Sequence, residues 1–277
     1  MIGALFAPKS AGAAAQRFDL TVEDKRIDIG LGMSYDAWTY DGTVPGPMLR
    51  VRQGDQVTIH LVNPTAMQHG LDTSAAEIAP RHFLPSPGDK DLTYSFRANV
   101  PGAFLYHCSA PPMLVHVANG MYGMMIVDPA RGWPPAREVM IVQGEYYGTP
   151  DSKGLVAGDS RKETGERPDF VVFDGALNRY VDHPIAIKVG QLVRVFLVNA
   201  GPNLTSTFQV SGVIFSTVYP GGNPVNVLHG IPSFQVGPGE GAIFEFRVRE
   251  PGDYSFMDAA LARPLEGAAG IFRAVRH

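Results

Sequence analysis

Residues 51–63, VRQGDQVTIHLVN, return at 188–199 as KVGQLVRVFLVN, with Gly54 to Asn63 and Gly190 to Asn199 equally spaced. Apolar and polar residues alternate in both, which is the period of a half-buried strand. The likeness continues outward. PGDKDLTYSFRANVPGAFLYHC (87–108) answers to PGEGAIFEFRVREPGDYSFMDA (238–259), and GMYGMMIV (120–127) to GAAGIFRA (267–274). Self-similarity on this scale is a duplicated domain. Short β-branched and aromatic runs punctuated by Gly and Pro, without long amphipathic helices, predict an all-β chain of two tandem β-sandwiches. The expected boundaries are 16–135 and 136–277, with DPARGWPPAR (128–137) as the connection and GTPDSKGLVAGDSRKETGERPD (148–169) as a polar loop inside the second copy. Residues 1–15, rich in small side chains, read as a linker or the remnant of a removed targeting segment.

The chain has 277 residues and a net charge of −4 without any Lys/Arg cluster, so it carries no electrostatic footprint for nucleic acid or an anionic membrane. No apolar run approaches the roughly 20 residues of a membrane-spanning helix. A single cysteine, Cys108, excludes an internal disulfide and leaves a buried thiol, a nucleophile or a metal ligand.

The stretch YHCSAPPMLVHVANGMYG (106–123) bears on that choice, because Cys108, His116 and Met121 stand as C-x7-H-x4-M and His69 lies upstream at the end of a strand. Two imidazoles, a thiolate and a weak thioether are the donor set of a blue-copper electron-transfer site. The competing readings are an inert core thiol with methionine filler, and a nucleophilic cysteine, for which no surrounding signature exists. The duplication supplies an internal control: the second copy has Met257 and Asp258 in place of His107 and Cys108, and Ala268 in place of Met121. It cannot bind what the first copy binds. His60 alternates with core positions and is expected to face outward. His82 is expected near the site's edge, and His183 and His229 to be structural.

With these motifs, and with DGTVPGPMLRVRQGDQV, QHGLDTSAAEIAP and GPNLTSTFQVSGVIFSTVYPGG, the sequence resembles the copper-containing nitrite reductases, two-domain relatives of the multicopper oxidases. The resemblance implies tandem cupredoxin-like Greek-key domains, a homotrimer, an extracytoplasmic (periplasmic) location and a redox partner protein or small electron donor. It carries the type 1 copper ligands onto His69, Cys108, His116 and Met121, one copper per chain. It also implies a catalytic type 2 copper on three histidines between subunits, with an active-site aspartate and histidine. Of these, His107 and Asp72 are present. Ser74 and Ala259 stand where the other two ligands belong, and Gln209 where the active-site histidine belongs. A catalytic copper needs about three protein ligands and an open position, and glutamine cannot relay a proton as imidazole does. The expectation is therefore a one-electron carrier that has lost the catalytic site. The alternatives are a nitrite reductase whose second copper is completed by unconventional ligands, and a scaffold domain of a larger assembly.

Overall fold

The computed structural model describes residues 13–276. The segment read as a tail lies outside the described residues except for its last three, and Ala15 already opens the strand Ala15–Gly30 by pairing with Gln56. That strand changes partners midway. Ala15–Thr21 runs parallel to Gln56–Val62, and Val22–Gly30 antiparallel to Met33–Tyr40, with Leu92–Arg97 completing the sheet beyond Gln56–Val62. The facing sheet is ordered Leu49–Arg52, Tyr122–Asp128, Gly102–His107, Asp72–Thr73.

The second sandwich repeats this pairing. Arg137–Tyr146 lies parallel to Val193–Gly201, which pairs antiparallel with Gly241–Phe246. In the facing sheets the register Gly102↔Val127 is answered by Gly252↔Ala274, and Asp72↔His107 by Gln209↔Met257. Equivalent residues of the two sequence copies thus occupy equivalent places.

Alternation places the cores. Val57, Ile59 and Leu61 point into the first sandwich, while His60 between them faces out, its Nδ1 2.7 Å from Asp19 Oδ1. In the second sandwich Phe208, Phe215, Phe244, Phe256 and Phe272 form a continuous aromatic core. Two strands are apolar on both faces. Val193, Val195 and Leu197 join the second core while Phe196 and Val198 face the first sandwich; Met125 and Val127 join the first core while Met124 and Ile126 face the second. A strand covered on both sides reads as an unbroken apolar run, which is why VRVFLVN and GMMIV lack polar interruptions near their centres. Beside this seam the fully buried Arg194 binds Glu245 and the Pro134 carbonyl, and Arg50 joins Asp128 to Glu138.

The polar loop at 148–169 departs from expectation. It reaches out of the second sandwich: Leu155–Val156 pairs parallel with Ser34–Tyr35 at the edge of the first, and helix Ser160–Thr164 packs on helix Met113–Ala118. Its polar residues serve its own turns, as where Asp159 Oδ1 caps the helix by accepting from the Arg161 N–H at 2.9 Å. Val156 meanwhile fills an apolar cluster with Tyr35 and Tyr146.

Candidate metal centre

Three of the four type 1 candidates come from one tied loop. Cys108 follows the strand Gly102–His107, and its N–H donates to the Met121 carbonyl at 3.0 Å. Pro111 and Pro112 then end the extended chain and start the short helix Met113–Ala118, which carries His116. The loop closes where the Met121 N–H donates to the His116 carbonyl at 3.1 Å. His69 comes from a separate segment, held by reciprocal backbone bonds with Ser86 of 3.2 and 2.8 Å.

These folds bring His69, Cys108 and His116 together, all buried, with one ligand atom of each within 4.8 Å of the others. Cys108 Sγ lies 3.3 Å from His116 Nδ1 and 3.8 Å from His69 Nδ1. Met121 is buried in the same core. The Gly70 N–H points at Sγ from 3.4 Å, an approach that requires glycine because a β-carbon there would fall 2.3 Å from Ser109 Oγ. Tyrosine hydroxyls pin this wall of the site, Tyr40 donating to the Gly70 carbonyl at 2.6 Å and Tyr94 to the Leu71 carbonyl at 3.1 Å.

Burial sets the protonation of the cluster. It pushes the Cys108 thiol up, against the pull of the Ala110 and Gly70 backbone N–H groups. It lowers His116, and it lowers His69 to about 4 with help from His116. Near neutral pH the group is two neutral imidazoles and a thiol, with no other hydrogen-bond partner on either imidazole among the described residues. A buried set of two nitrogen donors and one sulfur with an adjacent thioether, left free by the surrounding protein, fits a soft borderline metal such as copper.

The second constellation is divided. Asp72 and His107 face each other across paired strands; burial holds the Asp72 carboxyl above its ordinary value, and His107 offsets part of that rise. The His107 Nδ1 lies 2.9 Å from the Cys108 carbonyl, and its ring lines a cavity of about 390 Å³ at the seam of the two sandwiches. Ser74 is exposed at the start of the turn Ser74–Ala76. Gln209 and Ala259 belong to the second sandwich, where the Ala259 N–H donates to the Thr207 carbonyl at 2.7 Å and Gln209 sits opposite Met257. No hydrogen bond among the described residues joins this pair to Asp72, Ser74 or His107.

Of the remaining histidines, His82 is exposed in the turn Pro80–His82, and it is the neighbouring Phe83 that packs inward. His183 and His229 are exposed, the latter with Nδ1 2.9 Å from the Ser216 carbonyl. Sequence reasoning missed Trp38. Its ring stands edge-on to His116 at 5.0 Å and to His69 at 6.1 Å between centroids. Nothing in the alternation of MSYDAWTY distinguishes a tryptophan that walls a metal centre from one that caps a core.

Tandem sandwiches, with one buried His-Cys-His cluster among the described residues, define a two-domain cupredoxin architecture. The profile of the multicopper oxidases matches residues 21–132. The copper-containing nitrite reductase of Neisseria gonorrhoeae is 38% identical over 268 residues, covering 93% of this chain and 68% of that protein. A copper nitrite reductase structure from Nitrosomonas europaea superposes with a TM-score of 0.87 at 33% identity, covering 95% of this chain and 94% of that one. A Cu-containing nitrite reductase structure from Thermus scotoductus gives 0.86 at 32% identity over 94% of this chain and 62% of that one. The chain belongs to the copper-containing nitrite reductase family.

Proposed function

We propose that this chain is a one-electron transfer protein of that family, holding a single type 1 copper on His69, Cys108, His116 and Met121, and that it has lost the catalytic type 2 copper. The observation that carries the reading is the contrast between the two constellations. One gathers two buried imidazoles and a thiol within ligand distance. The other offers His107 and Asp72, with Ser74 and Ala259 where the two remaining nitrogen ligands would be needed and Gln209 in place of a proton-relaying imidazole. Copper bound at the first would supply a reversible one-electron couple. The protein's own contribution is to hold the donors buried, three on the hydrogen-bonded Cys108–Met121 loop and His69 on the segment paired with Ser86, with the Gly70 N–H on the sulfur. The His116 imidazole edge and the Cys108–His107 link are the proposed ways in and out for the electron. A redox protein or small molecule is the electron partner, and the proposed location is periplasmic. Metal analysis of copper-loaded protein beside a nitrite assay tests the reading: one copper and no turnover supports it, whereas two coppers with turnover would make the chain a reductase with an unconventional second site, and a colourless loaded protein would leave the scaffold role.

Loading should release protons in a defined number. With the thiol protonated and both imidazoles neutral at neutral pH, copper(II) uptake is expected to free about one proton per metal. His69 would compete for protons only near its lowered value of about 4. Titration in weakly buffered solution measures this, and a release near zero would remove Cys108 from the ligand set.

Assembly as a homotrimer belongs to the same proposal. Leu261 and Leu265, in the segment following Ala259, are 80% and 90% exposed, an arrangement suited to burial against another chain. Light scattering at micromolar concentration is expected to give the mass of three chains. A monomer would refute it.

A further inference from the structure

Glu163 has no part in the proposed function, yet it is 1% exposed and its Oε2 meets no hydrogen-bond partner. An unpaired buried carboxyl is costly. It belongs to helix Ser160–Thr164, which packs on the helix bearing His116. Gly158 marks where the groups converge: a β-carbon there would lie 2.9 Å from Asn119 Oδ1, 3.2 Å from the Tyr35 hydroxyl and 3.3 Å from Glu163 Oε1. The Tyr35 hydroxyl donates to Asn119 Oδ1 at 3.1 Å, and the Asn119 amide donates to the Val115 carbonyl at 2.8 Å. The Asn119 carbonyl accepts from the Trp38 N–H at 2.9 Å. Asn119 thereby ties the residue preceding His116 to the strand whose tryptophan stands against both imidazoles.

We propose that Glu163 is a positioning residue for the blue-copper loop that takes up one proton when the site gains an electron and returns it when the electron leaves. This rests on the copper reading of His69, Cys108 and His116. The balance is one electron from an external one-electron donor and one proton from solvent, the carboxylate becoming a carboxylic acid with formation of one O–H bond. An ionised Glu163 sets a negative charge beside the Asn119 and Tyr35 oxygens. Protonation removes that charge and supplies a donor to the same cluster.

The surroundings favour this exchange. Burial, with Asp159 adding to it, pushes the Glu163 carboxyl up. The other groups facing it offer no cation: the Tyr35 hydroxyl is itself raised, and Tyr147 is hydrogen-bonded to Glu145, a carboxyl also raised by burial. Lys162 is committed to Asp169 at 2.7 Å, and His116, on the opposing helix, is turned to Cys108. An added negative charge at the metal loop makes the carboxylate costlier still. By reciprocity the proton must then favour the reduced site.

The test compares the midpoint potential of copper-loaded wild type and Glu163→Gln as a function of pH. The wild-type redox equilibrium is expected to shift toward the oxidised form as pH rises through the Glu163 titration, by at most about tenfold per pH unit. Glu163→Gln should lose that component. Parallel curves from two redox-active proteins would overturn the inference alone, while a wild type without any copper-dependent redox signal would overturn the copper reading beneath it. Should the variant fail to fold, reduced-minus-oxidised infrared spectra of the wild type decide: a carboxylic acid carbonyl band that grows on reduction and shifts in deuterated water is expected, and its absence refutes the proposal. The metal-free protein gives a separate readout. A carboxyl raised by folding binds more protons folded than unfolded, so stability falls as pH rises from its ordinary value through its raised one. Glu163→Gln should remove one group's share of that fall, the raised carboxyls of Asp72, Glu145 and Asp174 keeping theirs, and an unchanged profile would show that the Glu163 carboxyl is not raised and sink the proposal.

Discussion

Cys108→Ser is expected to abolish the intense thiolate-to-copper absorption while leaving a folded chain. The band requires the sulfur, because a serine hydroxyl stays protonated and gives a metal neither the charge nor the softness of a thiolate. The fold depends on Cys108 far less. The side chain is fully buried, so the hydroxyl enters apolar surroundings, at a cost of about 1–3 kcal/mol if left unpaired. The Gly70 N–H that points at Sγ from 3.4 Å stands ready to donate to the new oxygen. For a chain of this size, a kilocalorie moves the melting temperature by roughly 2–4 °C, so the melting temperature should fall by about 2–12 °C, toward the low end if that bond forms. Absorption of the copper-loaded variant and its melting curve make the two measurements. A coloured Cys108→Ser protein would remove the cysteine from the site.

The type 1 candidates were legible because their chemistry is local. Cys108, His116 and Met121 lie on one loop, so covalent spacing limits their separation, and the second copy, lacking all three side chains, showed that the strand framework does not itself demand them. His69 is not tied to the others by spacing and rested on the resemblance; in the fold the Ser86 pairing, with the Tyr40 and Tyr94 hydroxyls, holds its segment across from the loop. The two sandwiches were legible for a similar reason: alternation fixes which face of Gln56–Val62 is buried, and duplication fixes the rest. What escaped was long-range and polar. The segment 148–169 has the composition of a solvated loop, and nothing in it signals that Val156 crosses to the first sandwich or that Glu163 is buried against the helix that carries His116. Arg194 stands between Val193 and Val195 on the opposite face of its strand. It is buried because that strand is covered on both faces, and Glu245 from the adjacent strand supplies its counter-charge.

Copper-loaded wild type is expected to reduce nitrite from an artificial donor no faster than free copper, and three substitutions should create the activity it lacks. Loss of a positioned acid–base group alone costs about 10²–10⁴ in rate, and here the metal that would bind the substrate is also expected to be missing. One imidazole, His107, cannot hold a catalytic copper whose usual site has about three protein ligands and an open position. Ser74→His places an imidazole at an exposed turn two residues from Asp72, where space is not limiting. Ala259→His places another beside a well-held backbone, since Asp258 Oδ1 accepts from the Thr207 N–H at 3.2 Å and the Ala260 N–H at 3.1 Å, and Oδ2 accepts from the Gln143 amide at 3.0 Å. Positions 74 and 259 belong to different sandwiches, and in the proposed trimer they would meet across a subunit boundary. The pair should therefore raise the copper content from one to about two per chain only in assembled protein. Gln209→His should then increase turnover further by restoring a group that can carry a proton near neutral pH. Nitrite turnover by the unmodified protein with two coppers per chain would end the carrier reading. A Ser74→His, Ala259→His trimer that still holds one copper would instead show that these two positions do not converge on His107.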